Sequence, residues 1–369
     1  MKRIFSLIFK KLPIRHTAAD ADLHLLNTQE IRSVRQHEKA AIILAAVIGM
    51  NGVLLLYLPQ YWHPDWFPIS HFKVLGFVLD ISIGATIYGV LLSSIEVYLL
   101  YILNLYCAHE IAVVTGFIDK DSINDVSKTN TLLDISLEKK NKDILRYGID
   151  PYQGLSKQAI FLMGALFSLK AALSNVAVKL LLSRLLGRYA VREVLDLAGI
   201  PIFAFWNAVA VRVVLREARV VIMGQNLIER LLQRIPADLH LSETDHELLY
   251  DTLQFIAISK RDYHRNHYYL TYRILEQYQI APKQKHVLSD DYFDHLHQAP
   301  PAVANLCKML ILTGFMLDGS LSTRERNRLQ LLHRRQVLDE TFAQLRKWTH
   351  NFFNGKGIEP LMDKYLTLR

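Results

Sequence analysis

An all-α protein is predicted, with an integral membrane helical region followed by a cytoplasmic helical domain. Three observations predict it. Residues 40–58, AAIILAAVIGMNGVLLLYL, carry no charge and are long enough, at 1.5 Å per residue, to cross a hydrocarbon core of ~30 Å. Apolar residues make up 51% of the 369-residue chain and concentrate in residues 40–223. Beyond Met223-Gly224 the pattern changes to amphipathic runs with helix-start signals and few alternating β-branched stretches.

The elements follow in order. Residues 1–38 are basic and cytoplasmic; the start, MKRIFSLIFKKLPIRH, has an apolar core too short for a signal peptide, interrupted by Lys10-Lys11. It reads either as an amphipathic segment on the membrane surface or as a tail. Residues 39–118 hold two transmembrane helices. Arg32, Arg35 and Lys39 flank the first and place the N-terminus inside, Pro59 ends it, and the tryptophan-bearing QYWHPDWFPISHF makes an outer interfacial loop. The second is read as one helical run over about 74–114 that extends past the membrane. It carries Asp80 and Glu96 with fifteen uncharged residues between them. That spacing rises only ~22 Å, so at least one carboxylate falls within or at the edge of lipid. Ala85, Gly89 and Ser93 form a small-residue stripe on which another helix, including one from a second copy, can pack.

Residues 119–158 are polar, of mixed charge, and read as a cytoplasmic linker. Residues 159–224 read as a membrane hairpin, spanning or re-entrant. Its first run, 159–178, carries Lys170 and a second small-residue stripe, and its second, 197–215, carries Pro201, Asn207 and Arg212. Arg184, Arg188 and Arg192 on the connector oppose two full crossings under the positive-inside tendency. Residues 225–369 form the cytoplasmic helical domain. The two cysteines, Cys107 and Cys307, lie far apart and offer no disulfide framework. The net charge of +8 suits basic cytoplasmic segments, and the arginines of 324–335 lack the interleaved aromatics of a nucleic-acid surface. No P-loop, GxSxG, HExxH or GxGxxG stands in a usable context, so an enzyme is not expected.

Within the C-terminal domain, FMLDGSLSTRER (315–326) joins two helical patterns. Gly319 suits the positive φ of a reversal, and Ser322 with Glu325 makes a capping box at the start of the next helix. Asp318 is a spare acceptor that can share a divalent cation with Glu325, although two carboxylates fall short of the six to eight oxygens of a calcium site. AISKRDYHRNHYYLTYRIL, 58 residues earlier, aligns with it without gaps. Lys260 falls at Asp318, Arg261 at Gly319, His264 at Ser322 and His267 at Glu325. His264 and His267 are three apart and are candidate metal ligands, though two histidines alone make a weak site.

LILTGFMLDGSLSTRERNRLQLL resembles the TerB-like domains named from tellurite resistance, with Asp318, Gly319, Ser322 and Glu325 at the matching positions. Residues 187–220 resemble membrane-associated bacterial proteins of the EcsC type, on Pro201 and Asn207. Those resemblances imply a multi-pass protein of the bacterial inner membrane with both termini cytoplasmic. It would tether a TerB-like interaction or stress-sensing domain that meets a protein partner, with no cofactor beyond the cation raised above. The alternative is an ion or small-solute transport component that uses the intramembrane residues Asp80, Glu96 and Lys170.

Overall fold

The computed structural model describes residues 9, 12, 25–74, 77–118, 126–136, 147–156, 158, 195–236, 239–261 and 263–366. Lys170 and the whole of the run 159–178 lie outside them. The described residues are helical apart from one small antiparallel hairpin. The helices are α1 (Thr28–Trp62), α2 (Ile83–Val114), α3 (Val126–Ser136), α4 (Leu195–Arg234), α5 (Glu243–Lys260), α6 (Arg265–Gln277), α7 (Tyr292–Gln298), α8 (Pro301–Met316), α9 (Thr323–Arg334), α10 (Phe342–Phe353) and α11 (Glu359–Leu366).

Three long helices make the first half. Asn27 opens α1 with a capping box, its side chain accepting from the Gln29 and Glu30 amides while Glu30 accepts from the Asn27 amide. Pro59 does not end this helix, which runs on to Trp62. A proline inside a helix leaves the carbonyl four residues back without its amide. Here that carbonyl is Leu55, and the Tyr88 hydroxyl of α2 donates to it at 2.7 Å.

The expected helical run over 74–114 is shorter than the sequence suggests. Ser70–Val74 (β1) and Phe77–Ile81 (β2) pair antiparallel, and Asp80 stands opposite His71. HFKV and FVLDI are rich in β-branched and aromatic residues, and a short apolar stretch of that kind does not distinguish strand from helix by periodicity. The helix proper starts at Ile83, with the Ser82 hydroxyl accepting from the Ala85 amide. Asp80 therefore lies on β2 and not on α2.

α2 and α4 run parallel and in register. Asn207 of α4 donates to Glu96 of α2, and Asn226 of α4 donates to the carbonyl of Thr115 at the end of α2, both pairs 111 positions apart. α1 runs antiparallel between them. Its Gly49 lies so close to α4 that a Cβ there would stand 2.7 Å from the Phe203 carbonyl oxygen. Gly89 of the small-residue stripe is buried, and Ala85 and Ser93 are half-buried beside Leu92 and Glu96. The stripe thus faces inward within the chain. The second stripe lies outside the described residues.

Exposed large apolar side chains are sharply segregated. All but Tyr272 and Val287 lie on α1, the 63–69 loop, α2 or the first half of α4. Among the described residues two helices, α1 and α2, are long and apolar enough to cross a membrane.

Below that apolar surface the helices pack into one body. α3, inside the expected linker, packs against α2 and α4, burying Leu132 and Leu133. Residues 147–153, also in that linker, dock on α5. The Gln254 side chain donates to the Asp150 carbonyl at 2.7 Å and accepts from the Asp150 amide at 3.0 Å, and Ile149 sits in the domain core. The expected boundary at 224/225 falls inside α4, which continues unbroken to Arg234. Its Met223, Leu227, Ile228 and Leu231 form part of the core of the C-terminal helices.

Candidate functional site at the paired helical turns

The two aligned segments form two equivalent helix–turn–helix units. α5 and α8 begin at Glu243 and Pro301, and α6 and α9 at Arg265 and Thr323, each pair 58 positions apart. Both turns place a positive φ at the aligned position, 58° at Arg261 and 67° at Gly319. The second helix of each unit ends alike. Gln279 and Gln336 take positive φ, and the amides of Ile280 and Val337 reach back five residues to the Leu275 and Leu332 carbonyls, as a Schellman end requires.

The second turn is the one with serine and two carboxylates. Ser322 caps α9, and its amide and hydroxyl both donate to Glu325. Asp318 accepts from the Ser320 amide at 3.0 Å. The carboxylates do converge, but on a cation the chain supplies itself. Lys260 Nζ, at the end of α5, lies 2.7 Å from Asp318 Oδ2 and 2.5 Å from Glu325 Oε1. It also donates toward the Phe315 carbonyl at 3.1 Å and the Ser320 carbonyl at 3.4 Å. The Lys260 side chain is 1% exposed and that of Glu325 3%. The aligned residues Lys260 and Asp318 therefore pair with each other. Lys260's ammonium takes the position that a metal between Asp318 and Glu325 would need.

The first turn repeats the capping box in a histidine version. His264 caps α6, its Nδ1 accepting from the Asn266 amide at 3.2 Å, and His267 Nδ1 accepts from the His264 amide at 3.1 Å. The other nitrogens are also engaged: His264 Nε2 lies 2.9 Å from Glu217 and His267 Nε2 is 2.7 Å from the Gly314 carbonyl. Because a carbonyl only accepts, His267 carries its proton on Nε2. Burial, then the charges of Lys260 and His264, push its pKa well below the ordinary histidine range. With all four ring nitrogens hydrogen-bonded within the chain, these histidines act as caps. No group of three or more His, Cys, Asp or Glu among the described residues is arranged to hold a metal.

α4 lies across both turns. Asn266 Nδ2 donates at 2.8 Å to the Val220 carbonyl of α4 and at 2.8 Å to the Leu317 carbonyl of the second turn. A Cβ on Gly224 would stand 1.9 Å from that Asn266 nitrogen. A Cβ on Gly319 would stand 2.9 Å from Val220 Cγ2. Next to Val220, Arg219 joins α4 to α1 and to the end of α10. It contacts both oxygens of Glu38 at 3.1 and 3.3 Å and donates to the Phe353 carbonyl at 3.0 Å. The alignment marks Lys260 only as the position equivalent to Asp318, and the sequence gives no signal that Lys260 and Asn266 bond across to the second turn or that Arg219 ties α4 to α1, because those contacts exist only once the helices are packed.

Among the three long helices, Glu96 and Asn207 are brought together at 2.8 Å, both buried. Asp80 lies away on β2, and Lys170 lies outside the described residues.

The turn geometry gives a direct test. Gly319→Val places a β-branched side chain at positive φ against Val220 and is expected to destabilise by about 2 kcal/mol or more. Ser322→Ala should cost about 0.5–2 kcal/mol as a lost cap. Denaturant melts of the purified chain check the ranking; equal midpoints for Gly319→Val and wild type would reject it.

The chain matches no family model, no curated protein and no solved structure.

Proposed function

We propose that this chain is a non-enzymatic integral membrane protein of the bacterial inner membrane. In this reading it fastens a TerB-like helical domain to the cytoplasmic face as an interaction or stress-sensing module. The observation that carries the reading is the segregation of exposed apolar side chains onto α1, α2 and the first half of α4. A monomer in water rarely shows so large a contiguous apolar patch, whereas in a bilayer it is the surface that meets lipid. The belt fits in height: the closely spaced exposed apolar residues of α2, Ile83 to Leu99, rise ~24 Å, comparable with the hydrocarbon thickness of ~30 Å. Tyr61, Trp62 and Trp66 at the outer end are exposed, as interfacial anchors are.

Beneath the belt the paired turns form a closed, hydrogen-bonded unit. Nothing in their chemistry calls for a substrate, so their role is to shape a surface that a protein partner recognises. Transport is the second reading, and the buried Glu96–Asn207 pair is what favours it.

Topology tests the first reading. A reporter fused after Arg369 is expected to read cytoplasm, and one inserted between His63 and Pro64 to read the outside. A periplasmic signal from the C-terminal fusion would overturn it. Normal abundance of Glu96→Gln with a loss of ion flux would favour transport.

A further inference from the structure

The outer stripe of α4 changes character along its length. Ile202, Phe205, Trp206 and Val213 are exposed apolar residues on one side of the helix. Arg212 and Arg216 are exposed on the same side, at the i, i+3 and i+4 spacings that put residues on one helical face. Helix register fixes their depth. The constant offset of 111 positions between α4 and α2 sets Arg212 level with Tyr101, two residues past Leu99, where the closely spaced exposed apolar side chains of α2 end. A guanidinium deeper in hydrocarbon would cost about 2.5–3.5 kcal/mol; at this level it meets headgroups.

Neighbouring acids are committed elsewhere. Glu217 faces His264 at 2.9 Å and Glu38 faces Arg219 at 3.1 Å. Among the described residues no ion pair or side-chain hydrogen bond engages Arg212 or Arg216. Two guanidinium groups four positions apart on a helix have Cβ atoms about 6 Å from each other, a separation that lets both donate to one phosphodiester.

We infer that Arg212 and Arg216 form a binding site for the phosphate of an anionic phospholipid in the cytoplasmic leaflet. The inference rests on the membrane reading above, and it goes further by naming the ligand and the residues. Arginine is suited to the task because its planar fork holds a phosphate oxygen pair while its stem packs on the apolar stripe. The site sits on the helix that also carries Glu217, Arg219 and Val220 to the paired turns, so an occupied headgroup would fix the height of that helix in the leaflet.

Lipid quenching of Trp206 tests it on the intact chain. Trp62→Phe, Trp66→Phe and Trp348→Phe leave Trp206 as the sole tryptophan, a turn and a half from Arg212. The protein is reconstituted in vesicles of phosphatidylcholine with brominated phosphatidylglycerol, or with brominated phosphatidylcholine at the same fraction. Phosphatidylglycerol should be preferred at least about five-fold, the scale of one basic residue at an anionic surface. Arg212→Gln/Arg216→Gln should bring the ratio to about one with phosphatidylcholine quenching unchanged, and the double lysine variant should keep part of the preference.

Quenching by both lipids without preference, or a preference that survives Arg212→Gln/Arg216→Gln, would overturn the site and leave the membrane reading intact. Quenching by neither lipid would defeat the membrane reading of α4 and the site with it. Loss of the preference on adding millimolar glycerol 3-phosphate would identify a soluble phosphate as the ligand instead.

Discussion

Lys260→Met should destabilise the helical domain by about 3–5 kcal/mol, the scale for removing one partner of a buried ion pair. The loss is large because the substitution leaves Asp318 and Glu325 as neighbouring carboxylates with no cation, one of them almost fully buried. It also removes the donor to the Phe315 and Ser320 carbonyls. Combining Lys260→Met with Asp318→Asn and Glu325→Gln should recover much of the loss, since no uncompensated charge then remains. Hydrogen exchange of the α5 and α8 amides in the detergent-solubilised chain reads both effects. A single Lys260→Met variant with protection close to wild type would show that the ammonium does not hold the turns together.

Gly224→Ala is the second large effect, and its sign is diagnostic. Within a helix, alanine in place of glycine ordinarily stabilises by about 1 kcal/mol. Here the methyl would meet the Asn266 side chain at 1.9 Å and push out the amide that bonds Val220 and Leu317. Overpacking together with broken buried hydrogen bonds should reverse the sign and cost about 2–4 kcal/mol. Gly224→Ala/Asn266→Ala should regain part of that by opening the space. A Gly224→Ala midpoint above wild type in chemical unfolding would contradict the close contact.

These two sites show what a single sequence reveals. The Ser322–Glu325 capping box was legible because it is local, with three residues and one helix start deciding it. The gapless alignment at an offset of 58 positions was legible as well, and the helices begin where it places them. The bonding across the two units was not, since Lys260 reaches Asp318 only when α5 and α8 are packed together. Gly224 was misread for a related reason. A glycine where an apolar region gives way to amphipathic runs resembles a break between domains, yet α4 passes through it and the missing side chain makes room for Asn266. Asp80 was misplaced because an apolar strand and an apolar helix look alike over five residues.

The unbroken passage of α4 has a mechanical consequence. Its forty residues form a rod of about 60 Å, so a tilt of about 5° at one end moves the other by about 5 Å. Arg219 and Glu38 tie that rod to α1, while Val220 and Glu217 press it against the turns. Beyond Pro201 no further proline interrupts the helix, so a change in how that part of it leans is delivered at the turns as displacement, in the manner of a lever on a fixed load.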